Sequence, residues 1–196
     1  MMPALQGFYM KRLLIAAAMC VLGSAAHAQC YVNGGVGASM VNTEVSAGPL
    51  SLDGVGASGG VATARVGCDA IIGNARLGAF AEYAFRDVSF KVEPSLFSAK
   101  FGNSWGVGAR AGYRVMNAMP YLLLAYQQQE MSWSIPIDAP TFRGVKFGGG
   151  IEFDLDKNWA LGLEFTQTRF ASESVLGVVN LQPVMNEGTA RLAYRF

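Results

Sequence analysis

Between Ala99 and Val115 the chain changes character at every residue. Ala99, Phe101, Trp105, Val107, Ala109, Ala111 and Tyr113 share one side of this stretch, with Asn103 as a polar exception. Lys100, Gly102, Ser104, Gly106, Gly108, Arg110, Gly112 and Arg114 share the other. A β-strand points successive side chains to opposite faces, so a period of two held this long excludes an amphipathic helix. The same split returns along the chain. Leu77, Ala79, Ala81, Tyr83 and Phe85 alternate with Arg76, Gly78, Phe80, Glu82 and Arg86. Val145–Phe153, Trp159–Thr166 and Thr189–Phe196 repeat the pattern, and Cys30–Val41 and Gly60–Asp69 carry weaker copies. Pro120–Gln128 is apolar on both faces at its start, and its register stays open.

Eight alternating strands fit two architectures. A soluble lipocalin-like barrel turns its apolar face inward around a ligand, whereas a membrane barrel turns it outward to lipid and keeps a polar interior. The second face decides between them. It carries glycine beside Arg, Lys and Glu at mid-strand, as a narrow interior requires where long side chains need room. Connection lengths agree. Short links at 70–74, 116–119 and 155–158 alternate with long ones at 42–59, 87–98, 129–141 and 171–187, as periplasmic turns alternate with extracellular loops. Tyr113, Tyr121, Phe153, Trp159, Tyr194 and Phe196 gather at the short-turn ends and are expected on the outer face as an interfacial girdle. The expected fold is all-β: an eight-stranded antiparallel up-and-down transmembrane β-barrel.

The barrel region follows a different opening. Lys11 and Arg12 precede an apolar run from Leu13 to Leu22, and Ala26-His27-Ala28 fits a small-x-small cleavage site. The run is too short to span a bilayer, so residues 1–28 are expected to be a signal peptide cleaved between Ala28 and Gln29, with the barrel occupying 29–196. Met10 offers a second start that would leave residues 1–9 outside the protein. Cleavage removes Lys11, Arg12 and the single histidine, His27, and leaves 13 basic against 14 acidic residues. This near balance gives no footprint for nucleic acid. A chain without histidine excludes Ser-His-Asp and Cys-His catalysis and histidine metal ligation. Gly148-Gly149-Gly150 lies within a strand and lacks the Gly-Lys-Ser/Thr ending of a phosphate loop. Glu152 and Asp154 share a face, and their reading is interior polar residues near a periplasmic turn. No catalytic residue, cofactor or metal ligand is assigned, and the protein is not expected to be an enzyme.

Ser104–Tyr113, followed by Met119-Pro120-Tyr121, resembles the central repeat of small alphaproteobacterial outer-membrane barrels. Val145–Phe170 is similar to the following hairpin, and Arg191–Phe196 resembles the C-terminal insertion signal of outer-membrane proteins, with Tyr194 and Phe196 as its aromatic positions. The chain is therefore similar to the porin-family outer-membrane β-barrel domain, of opacity-like and OmpA-transmembrane type. The resemblance implies the outer membrane of a Gram-negative bacterium, assembly by periplasmic chaperones and the barrel-assembly machinery, contact with lipid and lipopolysaccharide, and a monomer. It implies function less sharply. Such barrels serve as envelope stabilisers, small diffusion porins, or adhesins and receptors acting through their loops.

Two expectations concern individual residues. Cys30 opens the first strand and Cys68 closes the second at the same end, both outward by parity, so the pair is a disulfide candidate in an oxidising compartment; two free thiols are the alternative. Arg65, Glu82, Arg110, Lys146, Glu152, Glu164 and Arg191 fall on inward positions, with Arg76, Arg114 and Arg195. Arg65 should meet Glu82, and Glu164 should meet Arg191. Eight strands enclose a space just wide enough for side chains, so the interior is expected to be plugged by these charges; a narrow hydrated pore favouring anions is the alternative. The long connections carry Leu50, Leu52, Phe90, Leu96, Phe97, Met131, Trp133, Ile135, Ile137, Val178 and Val179, which would support a binding role.

Overall fold

The computed structural model describes residues 28–47, 50–92, 97–133, 141–175 and 179–196. Its strands are β1 (Ala28–Ala47), β2 (Leu50–Ile72), β3 (Ala75–Val92), β4 (Phe97–Tyr113), β5 (Ala118–Trp133), β6 (Thr141–Asp154), β7 (Trp159–Phe170), β8 (Glu173–Val175) and β9 (Val179–Arg195). Neighbours from β1 to β7 pair in antiparallel order, β7 then pairs with β9, and β9 pairs back onto β1. That last pairing closes an eight-stranded barrel. The three-residue β8 only flanks β9. Closure leaves no open edge, which lipid demands because it offers no hydrogen bonds to an unpaired backbone.

The long connections differ from expectation. β1 continues to Ala47 and β2 begins at Leu50, so most of 42–59 is paired strand; β3 and β4 likewise extend to Val92 and from Phe97. At about 3.3 Å per residue and a tilt of about 40°, the 20 residues of β1 rise about 50 Å, twice the height of the apolar band. The hairpins therefore project beyond the membrane as a continuation of the wall. Turn-forming composition in this stretch signals a loop, but once two strands are in register the backbone ladder propagates through it. The apolar residues placed on these connections lie outside the residues whose side chains are described.

The two faces are inverted relative to a soluble protein. Val36, Val66, Leu122, Leu163 and Phe165 are exposed outward, while Arg65, Glu82, Lys146, Glu164 and Arg191 are buried. In β5 the register left open resolves with Tyr121, Leu123, Ala125 and Gln127 inward and Leu122, Leu124 and Tyr126 outward. Tyr121 therefore departs from the expected outer girdle: it is an interior residue, packed with Phe80, Met119, Leu123 and Ala125. A strand apolar on both faces gives no parity signal, and position at a turn end does not replace it. The remaining girdle residues do lie outside, with Tyr194 between Trp159 (centroids 5.0 Å) and Phe196 (5.3 Å). A second girdle, Tyr83, Phe85, Trp105 and Tyr126, marks the opposite boundary on β3–β5.

The short turns follow their chemistry. Gly73 adopts φ 61° between β2 and β3, and Met116 adopts φ 53° in the two-residue turn between Val115 and Ala118. In the β6–β7 turn the Asp156 carboxylate accepts the backbone N–H groups of Asn158 and Trp159, both at 2.7 Å. These two donors hold its pKa below the usual range.

Candidate functional site

The barrel interior is where the alternation concentrates charge, and it is built in tiers. Nearest the periplasmic turns, Arg110 on β4 forks onto Asp69 (2.6 and 3.0 Å) and reaches Glu152 (2.6 Å). Arg195 joins Glu152 (2.6 Å) and Asp154, while Arg114 pairs with Asp154 at 2.8 Å. Arg76 donates to the Gln29 side-chain oxygen. Glu152 and Asp154 are thus ion-paired wall residues, each engaged by arginine, and neither is presented as a free acid or base.

The middle tier is the densest. Arg65 reaches Glu82 (2.6 Å) across the β2–β3 register and Glu164 (2.7 Å) from the far wall. Glu82 also accepts Lys146 (2.6 Å) and Arg191 (2.8 Å), so one carboxylate is shared by three cations. Glu164 accepts Arg191 (2.8 Å) and the Tyr121 hydroxyl (2.7 Å). The expected meeting of Glu164 and Arg191 occurs diagonally: Arg191 lies opposite Gly162 and Glu164 opposite Thr189, and the arginine spans the offset. The expected interior residues Arg65, Glu82, Arg110, Lys146, Glu152, Glu164 and Arg191 all lie inside, and each is ion-paired there.

Aromatic rings fill the space between tiers. The Arg110 guanidinium lies 4.0 Å over the Tyr31 ring, and that of Arg65 lies 4.3 Å over Phe80. Two glycines make room for the tyrosines. A Cβ at Gly67 would sit 2.5 Å from the Tyr31 hydroxyl, and one at Gly150 would sit 2.7 Å from that of Tyr121. Above them, Arg86 bonds Glu187 (2.8 Å), Gln129 (2.9 Å) and Ser104, and Gln127 bonds Ser104 (2.8 Å) and Thr168 (3.0 Å). Further toward the extracellular end the interior turns apolar. Val41, Phe142, Phe170 and Met185 are almost wholly buried there, with the two phenylalanines edge to face at 6.2 Å.

Among the residues whose side chains are described, eight cations (Arg65, Arg76, Arg86, Arg110, Arg114, Lys146, Arg191, Arg195) face six carboxylates (Asp69, Glu82, Glu152, Asp154, Glu164, Glu187). Arg114, with a side chain 32% exposed, opens to the periplasmic mouth, and Arg76 is partnered by the Gln29 side-chain oxygen. Asp69, Arg86, Glu187 and the apolar tier are not singled out by the sequence reading. Glu187 falls at the end of a long connection by composition, yet inward parity carried back from Arg191 reaches Thr189, Glu187 and Met185 in turn.

On the outer wall Cys30 and Cys68 are directly opposed on β1 and β2 and are joined as a disulfide. Ala28 and Gln29 begin β1, and the Phe196 N–H donates to the Cys30 carbonyl (2.9 Å) at the barrel seam. Among the described residues no group of three or more His, Cys, Asp or Glu is arranged to hold a metal ion.

The profile of the outer membrane protein beta-barrel domain matches residues 13–196. The chain belongs to that family. No curated protein matches it. Among solved structures, a major outer membrane protein from Thermus thermophilus is similar at TM-score 0.52 and 14% identity, covering 86% of this chain and 99% of that one. Neisserial surface protein A is similar at TM-score 0.50 and 15% identity, covering 85% and 97%. At such identities the likeness is one of fold. The outer-membrane barrel family, together with this fold, places the protein in the outer membrane, and the outward apolar belt of this outer-membrane barrel is its lipid-facing surface.

Proposed function

We propose that this outer-membrane barrel is a sealed structural element of the envelope rather than a porin, and not an enzyme. The observation that carries the reading is the filled interior: three tiers of ion pairs and polar contacts beneath an apolar tier of Val41, Phe142, Phe170 and Met185. An aqueous path would have to pass through the ion-paired tiers. Buried charges that are mutually paired resist separation, because removing one partner leaves another uncompensated. Catalysis is disfavoured because cleavage after Ala28 leaves a chain without histidine, and the interior carboxylates are engaged by cations. The same reading takes the mature protein to be a monomer, delivered by periplasmic chaperones and inserted by the barrel-assembly machinery through its Tyr194–Phe196 end. The test is osmotic swelling of liposomes carrying the refolded mature chain. Wild type should admit a pentose no faster than protein-free liposomes; rapid swelling would favour the porin reading.

A further inference from the structure

The arginine that the ion-paired tiers leave over stands at the periplasmic mouth. Arg76 is buried on the inner face of β3, and among the described residues none of the salt bridges involves it. It donates instead to a neutral acceptor, the side-chain oxygen of Gln29. Asp69, the register partner of Gln29, is forked by Arg110 (2.6 and 3.0 Å), and Asp154 is held by Arg114 and Arg195.

Gln29 itself is half-buried and well anchored. The next residue, Cys30, is bonded to Cys68, and its carbonyl accepts the Phe196 N–H (2.9 Å). Arg195 lies opposite Tyr31, the next inward position after Gln29, and the Arg114 N–H donates to the Asn74 carbonyl at the start of β3 (2.8 Å). Three guanidinium groups thus share this mouth with Gln29.

Cleavage after Ala28 turns the Gln29 nitrogen into a primary α-amine on the same residue as the amide that Arg76 holds. Attack by that amine on Cδ closes a five-membered ring, and rotation about the side-chain bonds of Gln29 alone brings the two atoms together. Holding nucleophile and electrophile on one anchored residue removes the entropy of an encounter. The carbonyl oxygen gains negative charge as the amine adds, and a guanidinium already donating to it is placed to stabilise that charge. The product also suits the mouth. An α-ammonium beside Arg76, Arg114 and Arg195 is a further like charge in a half-buried place, whereas a lactam is neutral and keeps its carbonyl as an acceptor.

We propose that Gln29 is a modification site: freed by signal cleavage, it cyclises to an N-terminal pyroglutamate at the barrel rim, with Arg76 polarising its amide. The α-amine nitrogen bonds to Cδ, the Cδ–Nε2 bond breaks, and ammonia leaves carrying a proton from the amine. No oxidant or cofactor takes part. The inference rests on cleavage between Ala28 and Gln29 and is independent of whether the lumen conducts.

The intact mass of protein freshly extracted from outer membranes tests it. The chain should begin at Gln29 and be lighter by one ammonia than the disulfide-bonded sequence. An unmodified Gln29 terminus would overturn the modification. A chain beginning elsewhere would overturn it together with the cleavage site, and the mass tells these two results apart. A second measurement isolates Arg76. In a refolded chain whose leader is removed immediately before Gln29, ammonia should be lost about tenfold faster from the folded barrel than from the urea-unfolded chain, a modest factor because the mouth is only half closed. Arg76→Met should bring the folded rate down to the unfolded one, and Arg76→Lys should restore part of it. Equal rates from folded and unfolded wild type would overturn the role of Arg76, whether or not the Arg76→Met barrel keeps the heat-modifiable gel mobility of a folded one.

Discussion

Glu164 shows how much a single interior side chain carries. It accepts Arg65, Arg191 and Tyr121 together, from three other walls of the barrel. Truncating one partner of a buried ion pair costs about 3–5 kcal/mol, because the remaining charge keeps its desolvation penalty without its partner. Glu164→Ala should destabilise the refolded barrel by an amount in that range, read from urea unfolding. Glu164→Gln, which keeps an acceptor for Tyr121, should lose less; equal stability of the alanine variant would mean the tier is hydrated. Met116 tests the opposite sign. A non-glycine residue at φ 53° stores about 1–3 kcal/mol of backbone strain, so Met116→Gly should stabilise the barrel by about 1 kcal/mol after its added chain entropy. At this scale the sequence is legible wherever parity is clear, as for Arg65 and Glu82. It fails at Tyr121, where both faces of β5 are apolar, and at Glu187, where glycine and asparagine neighbours imitate a loop.

Strand pairing fixes what the cysteines can do. Cys30 and Cys68 are register partners on β1 and β2, and their bond closes a segment with sequence separation 38. A cross-link of that span restricts the unfolded chain and typically contributes about 2–4 kcal/mol. Cys30→Ser with Cys68→Ser should therefore lower the unfolding free energy by that amount while leaving the folded barrel intact. Thiol labelling of the unfolded, unreduced protein should modify neither cysteine; full labelling of both would refute the bond. The elements themselves are readable because alternation survives at mid-strand, where one face meets lipid and the other meets the packed interior. Their ends are not. Beyond the apolar band lipid no longer selects for alternation, and strands such as β1 and β2 continue unannounced by any pattern.

For the whole molecule the governing fact is inversion: an apolar exterior solvated by lipid surrounds an interior of paired charge. Barrel closure and interior charge are both legible in alternation, because they depend only on parity and strand number. The apolar tier above the ion pairs is not, since Val41, Phe142, Phe170 and Met185 belong to four different strands and gather only once the register is known. That tier lies on the β6, β7, β9 and β1 side of the interior, above the ion pairs. Single-channel recording in planar bilayers tests the seal most directly. The refolded wild-type barrel should show no stable unitary conductance at moderate voltage, and Glu164→Ala should at most introduce small, flickering events. Large, stable conductance steps from the wild-type protein would contradict the account.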